Sequence, residues 1–180
     1  MKIYLTTDTH FNHEKMIEYC ARPKNFENLI FTNIIKIIKD EDILIHLGDV
    51  CFGKDSEMHK KYIESLPFKK ILVIGNHDRK SNNWYLEHGW DFVCKTFSGK
   101  YFGKNILFSH RPHKDIGFDV NIHGHFHNAL DRLKEGRFAI EGERERNEQD
   151  LAVLTDKHKL LALEFTNYKP VNLESFLDIK

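Results

Sequence analysis

Residues 69–78 read Lys69-Lys70-Ile71-Leu72-Val73-Ile74-Gly75-Asn76-His77-Asp78, and this stretch sets the fold class. The run Ile71 to Ile74 is short and bulky enough for a strand buried on both faces, the habit of a parallel sheet. Upstream, Asp55-Ser56-Glu57 reads as a helix start and Pro67 as that helix's end. Helix, buried strand, then a polar turn is α/β grammar, with reactive side chains delivered at the strand's carboxyl end.

The same grammar extends in both directions. Residues 2–7 are rich in β-branched and aromatic residues and run into Asp8, a first strand ending in a polar loop. Apolar residues at 30, 31, 34, 35 and 38 carry the spacing of an amphipathic helix, and residues 43–47 form a strand that stops at Gly48-Asp49. Downstream, a short helix is expected over 84–88, then strands over 91–96, 100–102 and 106–108, the last two joined by a Gly103-Lys104-Asn105 turn. The third of these runs into Ser109-His110, and a strand over 120–122 ends in His123-Gly124-His125-Phe126-His127. Late strands are expected over 138–140, 151–154 and 160–165, with a terminal helix over 173–179. Residues 141–150 carry five acids against two arginines and read as a solvated loop or exposed helical turn.

Composition narrows the function classes. At 180 residues the chain is expected to be a single domain, 1–180, with no room for a second sizeable one. Lys plus Arg and Asp plus Glu are 27 each, so no global field draws the protein to nucleic acid or to an anionic membrane, and non-specific nucleic-acid binding is not expected. No apolar run exceeds four residues, which speaks against a transmembrane helix or a secretory signal and makes the cytoplasm the expected compartment. Cys20, Cys51 and Cys94 are odd in number and widely spaced, and read as reduced core residues. Histidine is the outlier, with twelve copies.

Five expected strands end in residues that can bind metals: Asp8-Thr9-His10, Gly48-Asp49, Gly75-Asn76-His77-Asp78, His110, and His125-Phe126-His127. If the backbone stays extended, side-chain alternation puts Asp8 with His10, and His125 with His127, on a shared face. The run from His123 also invites comparison with the H-x-H-x-D-H pattern of metallo-β-lactamase-like hydrolases, but His127 and Asn128 stand where that pattern needs Asp and His.

In order and context the five blocks resemble the calcineurin-like metallophosphoesterases, whose pattern is D-x-H, G-D, G-N-H-[DE], a lone His and G-H-x-H. The opening Asp8-Thr9-His10-Phe11-Asn12-His13, Arg22-Pro23 and Thr166-Asn167-Tyr168-Lys169-Pro170 look like the family's small bacterial, archaeal and phage branch. The resemblance implies a four-layer α/β/β/α sandwich of two mixed sheets with helices outside. It further implies two divalent metal ions, one held by Asp8, His10 and His127, the other by Asn76, His110 and His125, with Asp49 bridging. Manganese is the expected metal, with iron, zinc or nickel also suited to these ligands.

Two dications less two carboxylates, with neutral His and Asn ligands, leave a positive pocket that can draw a phosphate ester to a neutral protein. Hydrolysis by a hydroxide shared between ions about 3.5–4 Å apart is the mechanism this implies. His77 is the expected proton donor to the leaving alkoxide and Asp78 the residue that orients it. Arg22 and His13 are candidate phosphate contacts, and Arg111 and Arg79 are further ones beside the motifs. The expected substrate is a small phosphodiester, such as a cyclic nucleotide or nucleic-acid-derived ester. A phosphomonoesterase acting on a nucleotide or sugar phosphate is the alternative, and a non-catalytic binding scaffold, like the retromer subunit of this fold, comes third.

Overall fold

The computed structural model describes residues 1–114, 116–139 and 142–179. Nine strands are named in it: β1 (Ile3–Thr6), β2 (Ile43–His46), β3 (Lys69–Val73), β4 (Phe92–Cys94), β5 (Thr96–Tyr101), β6 (Lys104–Ser109), β7 (Val120–His123), β8 (His158–Leu160) and β9 (Val171–Asn172). The helices are α1 (Met16–Tyr19), α2 (Phe26–Ile37), α3 (Asp55–Tyr62), α4 (Asn82–Glu87), α5 (Leu130–Lys134), α6 (Glu143–Ala152) and α7 (Leu173–Phe176). The strands form two mixed sheets flanked by helices, one ordered β4-β3-β2-β1-β9 and the other β5-β6-β7-β8.

Alternation along the parallel strands accounts for the layering. Tyr4, Leu44 and Leu72 point outward to pack with Phe26, Ile30 and Ile34 of α2 and Met58 and Tyr62 of α3. Their neighbours Leu5, Ile45 and Val73 point inward to Ile106, Phe108 and Ile122 of the second sheet. Both faces of β1 to β3 are therefore buried, and each such Leu, Ile or Val contributes roughly 1.5–3 kcal/mol of apolar burial. The register then aligns the strand ends. Thr6 pairs with His46 and His46 with Leu72, while Ser109 pairs with His123. The chain thus leaves β1, β2 and β3 at one level of the first sheet, and β6 and β7 at one level of the second.

Four expected elements differ. Residues 91–96 are not one strand: β4 ends at Cys94 in the five-stranded sheet and β5 begins at Thr96 in the other, so the chain changes sheet at Lys95. Residues 151–154 are not a strand, because Leu151 and Ala152 end α6, where Glu, Arg and Gln residues extend a helix through the acidic segment. Phe138 is 37% exposed and, with Ala139, belongs to no strand; Ile140, expected with them, and Glu141 lie outside the described residues. Of residues 160–165 only Leu160 is in a strand, and Leu163–Phe165 is a turn of 3₁₀ helix. All three cysteines are free, with Cys20 and Cys51 buried. Among the described residues no helix is long and apolar enough to cross a membrane.

Phe108 is fully buried between the sheets, stacked on Phe97 at 4.7 Å with Tyr101 edge-on at 5.7 Å. Phe108→Ala is expected to cost about 3–5 kcal/mol of stability, read in urea denaturation as a lower midpoint at unchanged slope.

Candidate metal centre

The loops that leave the two sheets meet at one end of the sandwich. The loop after β1 runs beside the loop after β2, with backbone bonds from Asp8 N–H to the Gly48 carbonyl (2.9 Å) and from His10 N–H to the Asp49 carbonyl (3.0 Å). The loop after β6 joins them through His110 Nδ1, 2.8 Å from the Leu47 carbonyl, and the loop after β7 through His125 N–H, which donates to Asp8 Oδ2 at 3.1 Å.

Extended backbone is not how these side chains come together. Asp8, His10, Asp49, His125 and His127 all have positive φ, from 47° to 75°. The left-handed region costs non-glycine residues of order 1–3 kcal/mol each, so the surrounding packing holds five strained residues in one place. The alternation expected for Asp8 with His10 and for His125 with His127 is corrected accordingly. The motif glycines serve the close approach of the loops. A Cβ on Gly48 would stand 2.5 Å from the Gly75 nitrogen, one on Gly75 would strike Asp49, and one on Gly124 would strike the Thr7 and Asp8 side chains.

The seven expected ligands converge. Asp8 Oδ1 is 3.9 Å from His10 Nε2 and 3.7 Å from His127 Nε2. Asp49 Oδ2 is 3.6 Å from His10 Nε2 and 3.4 Å from His110 Nε2, so it stands between the two groups. Asn76 Oδ1 lies 2.9 Å from His110 Nε2, and the His125 ring packs against that of His110 with centroids 5.2 Å apart. Ligand atoms at about 2.0–2.2 Å from one ion can be no more than roughly 4.4 Å apart, and the contacts to Asp8 and Asp49 meet that limit. Asp8 spends Oδ2 on the Thr7 hydroxyl (2.6 Å) and on His125 N–H. Its Oδ1, like His10 Nε2, is buried with no hydrogen-bond partner among the described residues. Two orphaned acceptor positions facing one point, within two groups of carboxylate and imidazole atoms that each fall inside 4.8 Å, suit a divalent cation.

Electrostatics divide the imidazoles. Burial would lower His110, but the Asp49 carboxylate beside it overrides this and raises it to about 9. Burial pushes Asp49 up, yet His110 and His10 hold it well below the usual carboxylate range. His127 is likewise raised well above the ordinary value, burial being outweighed by Asp8. His10 and His125 are pushed well down, by burial first and then by the neighbouring imidazoles. A dication entering this site would compete with protons for the His110 and His127 imidazoles.

The second tier of residues departs from expectation. Asp78 does not orient the His77 ring. Its carboxylate accepts from the N–H groups of Asp49 (2.7 Å), Gly75 (2.8 Å) and Val50 (3.0 Å), clamping the loop that carries Asp49. Burial and the nearby Asp49 charge raise it to about 6. His77 is instead positioned by packing against His10 at 5.3 Å and Phe52 at 5.4 Å, and its own N–H donates to Asp49 Oδ1 at 2.8 Å.

Arg22 does not face the opening. It is 2% exposed, pairs with Glu164 at 2.8 Å and donates to the carbonyls of Asp8 (2.8 Å) and Thr9 (3.1 Å), which fixes the first ligand loop from behind. His13 stands at the rim, stacked on Phe52 at 4.2 Å, and Arg111 stands there too, 3.4 Å from Asn76 Oδ1; Arg79 is exposed.

Two residues at the site had no motif to announce them. Glu164 is 3.6 Å from His127 Nδ1 and held down to about 2, burial being outweighed by His127 and Arg22. Asp150, from α6, pairs with Arg111 and stands 3.5 Å from His125 Nε2.

Residues 1–145 match the family model described as calcineurin-like phosphoesterase. The chain is 30% identical to an uncharacterized protein of Methanocaldococcus jannaschii, over 96% of this chain and 88% of that one. Its structure is similar to the crystal structure of a protein of unknown function from Aquifex aeolicus, at TM-score 0.70 and 28% identity over 99% of each chain. A likeness to an archaeal phosphodiesterase, at TM-score 0.44 and 21% identity over 69% of this chain and 72% of that one, is too distant to bear on activity.

Asp78→Asn removes a charged acceptor from three amide donors while leaving every candidate ligand in place. It is expected to weaken manganese binding by about 10–100-fold, as measured by calorimetric titration of the metal-free protein.

Proposed function

The chain belongs to the calcineurin-like phosphoesterase family, and from that premise we propose that it hydrolyses small phosphodiesters with two divalent metal ions, manganese being the expected one. The observation that carries the diester reading is a pair of separate clefts, each sharing lining residues with the centre. A central pocket of about 240 Å³ is lined by His10, Asp49, Asn76, His77, His125 and His127. The first, sharing His13, Tyr19 and His77 with the centre, is a cleft of about 500 Å³ that also takes in Asn12 and Phe52. The second, sharing Asn76, is one of about 480 Å³ between Lys95, Thr96, His110, Arg111 and His113. A diester has two organic arms and a monoester one, and each cleft falls in the size range of ordinary small-molecule sites.

In this reading Asp8, His10 and His127 hold one ion, Asn76, His110 and His125 the other, and Asp49 both. When bound, the ions supply an activated water and neutralise charge on the transferring phosphoryl group. His77 keeps 29% of its side chain exposed and borders both the centre and the first cleft, which suits a residue giving its proton to the departing oxygen. As the P–O bond breaks, that proton goes to the leaving alkoxide. Phe52 and His10 hold the ring in place for the transfer, and Asp78 keeps Asp49 at its station.

With manganese added, a matched pair of aryl substrates is expected to show faster turnover of the diester, and chelation to abolish both activities. A preference for the monoester would favour the one-armed reading. His77→Ala is expected to keep its metal and lose roughly 10²–10⁴-fold in rate on esters with poor leaving groups, but little on an activated aryl ester, whose departing phenolate needs no proton. Equal losses on both would remove His77 from the proton-donor role.

A further inference from the structure

Asp150 lies beyond the matched residues 1–145, on a helix that buries none of its residues. α6 is tied at its start by Glu143, which receives a two-pronged bond from Arg132 at 2.7 and 2.8 Å, and near its end by Asp150. The Asp150 side chain is only 14% exposed. Its Oδ2 is paired with Arg111 Nη1 and stands 3.5 Å from His125 Nε2, while Arg111 Nη2 is 3.4 Å from Asn76 Oδ1. An anion entering the second cleft therefore meets a cation already neutralised by a carboxylate.

We propose that Asp150 is a specificity-determining residue, whose charge beside Arg111 and His125 selects monoanionic phosphodiesters over dianionic phosphomonoesters. The inference rests on the phosphodiesterase reading and adds to it a source for the preference. A fixed charge changes the energy of a bound anion in proportion to the anion's own charge. Removing the Asp150 charge while keeping its shape raises the potential at the phosphate seat by one increment. That increment acts once on a diester and twice on a monoester. A gain of f in affinity for the monoanion is then a gain of f² for the dianion, whatever the local dielectric. Replacing Arg111 by a neutral residue reverses the sign and keeps the square.

The test compares methyl phosphate, a dianion at pH 8, with dimethyl phosphate, a monoanion, as ligands of the manganese-loaded protein. Both are titrated calorimetrically and as competitive inhibitors of turnover. Asp150→Asn is expected to tighten dimethyl phosphate about 3–10-fold and methyl phosphate about 10–100-fold, with two metal ions per chain retained. Asp150→Glu is expected to restore the native ratio, and Arg111→Gln to weaken methyl phosphate by the larger factor. Equal changes for the two ligands overturn the proposal, as does loss of metal from Asp150→Asn, which would make Asp150 a ligand rather than a selector. If neither anion binds the native metal-loaded protein, the phosphoesterase reading falls along with it. If both bind and turn over but their ratio ignores Asp150, only the selector role is lost.

Discussion

Two buried carboxylates, Asp8 and Asp49, set the terms for everything at this end of the sandwich. Each is at most 2% exposed, and an unpaired charge in such a setting costs several kcal/mol. Hydrogen bonds relieve part of that cost: Asp8 Oδ2 takes a hydroxyl and an amide, and Asp49 Oδ1 takes the His77 amide. The remaining oxygens face one another across a ring of imidazoles. The left-handed backbone at five positions, the glycines packed against side chains, and Asp78 gathering three amides are all means of keeping those oxygens where they are.

Much of the fold was legible because parallel strands buried on both faces leave a plain mark. Residues 43–47 and 71–74 fall within a few positions of β2 and β3, since runs this short and bulky, each stopped by a glycine turn, suit a strand buried on both faces. The later half was less readable. The one strand expected over 91–96 hides a change of sheet, because a one-residue crossing at Lys95 leaves the local pattern intact. Leu151 looks like the start of a strand when its polar neighbours are ignored, yet those neighbours are strong helix formers and carry the helix through it. The apolar side chains at 138 and 160–165 show that short runs near the chain's end are decided by what packs over them, not by their own propensity.

At the site, the seven residues that converge were legible from order and spacing, whereas their supports were not. Arg22 and Asp78 both belong to recognisable motifs, which suggested that Arg22 would contact phosphate and that Asp78 would orient His77. Burial assigns them elsewhere: a guanidinium and a carboxylate at this depth must satisfy all their hydrogen-bonding atoms, and backbone carbonyls and amides of the ligand loops were the partners within reach. Glu164 and Asp150 come from the least patterned part of the chain. Only tertiary contact distinguishes them from the other acids around them.

The single-residue crossing at Lys95 has a thermodynamic corollary. Asp8, His10, Asp49 and Asn76 come from loops of the first sheet, and His110, His125 and His127 from loops of the second, so neither half of the polypeptide holds either proposed ligand set whole. An unfolded chain offers no comparable grip, and any ion captured here acts as a rivet between the sheets. By mass action, free ion at a hundred times its dissociation constant would deepen the native well by about 2.7 kcal/mol. Supply of the ion would then govern how long the protein survives as well as whether it works.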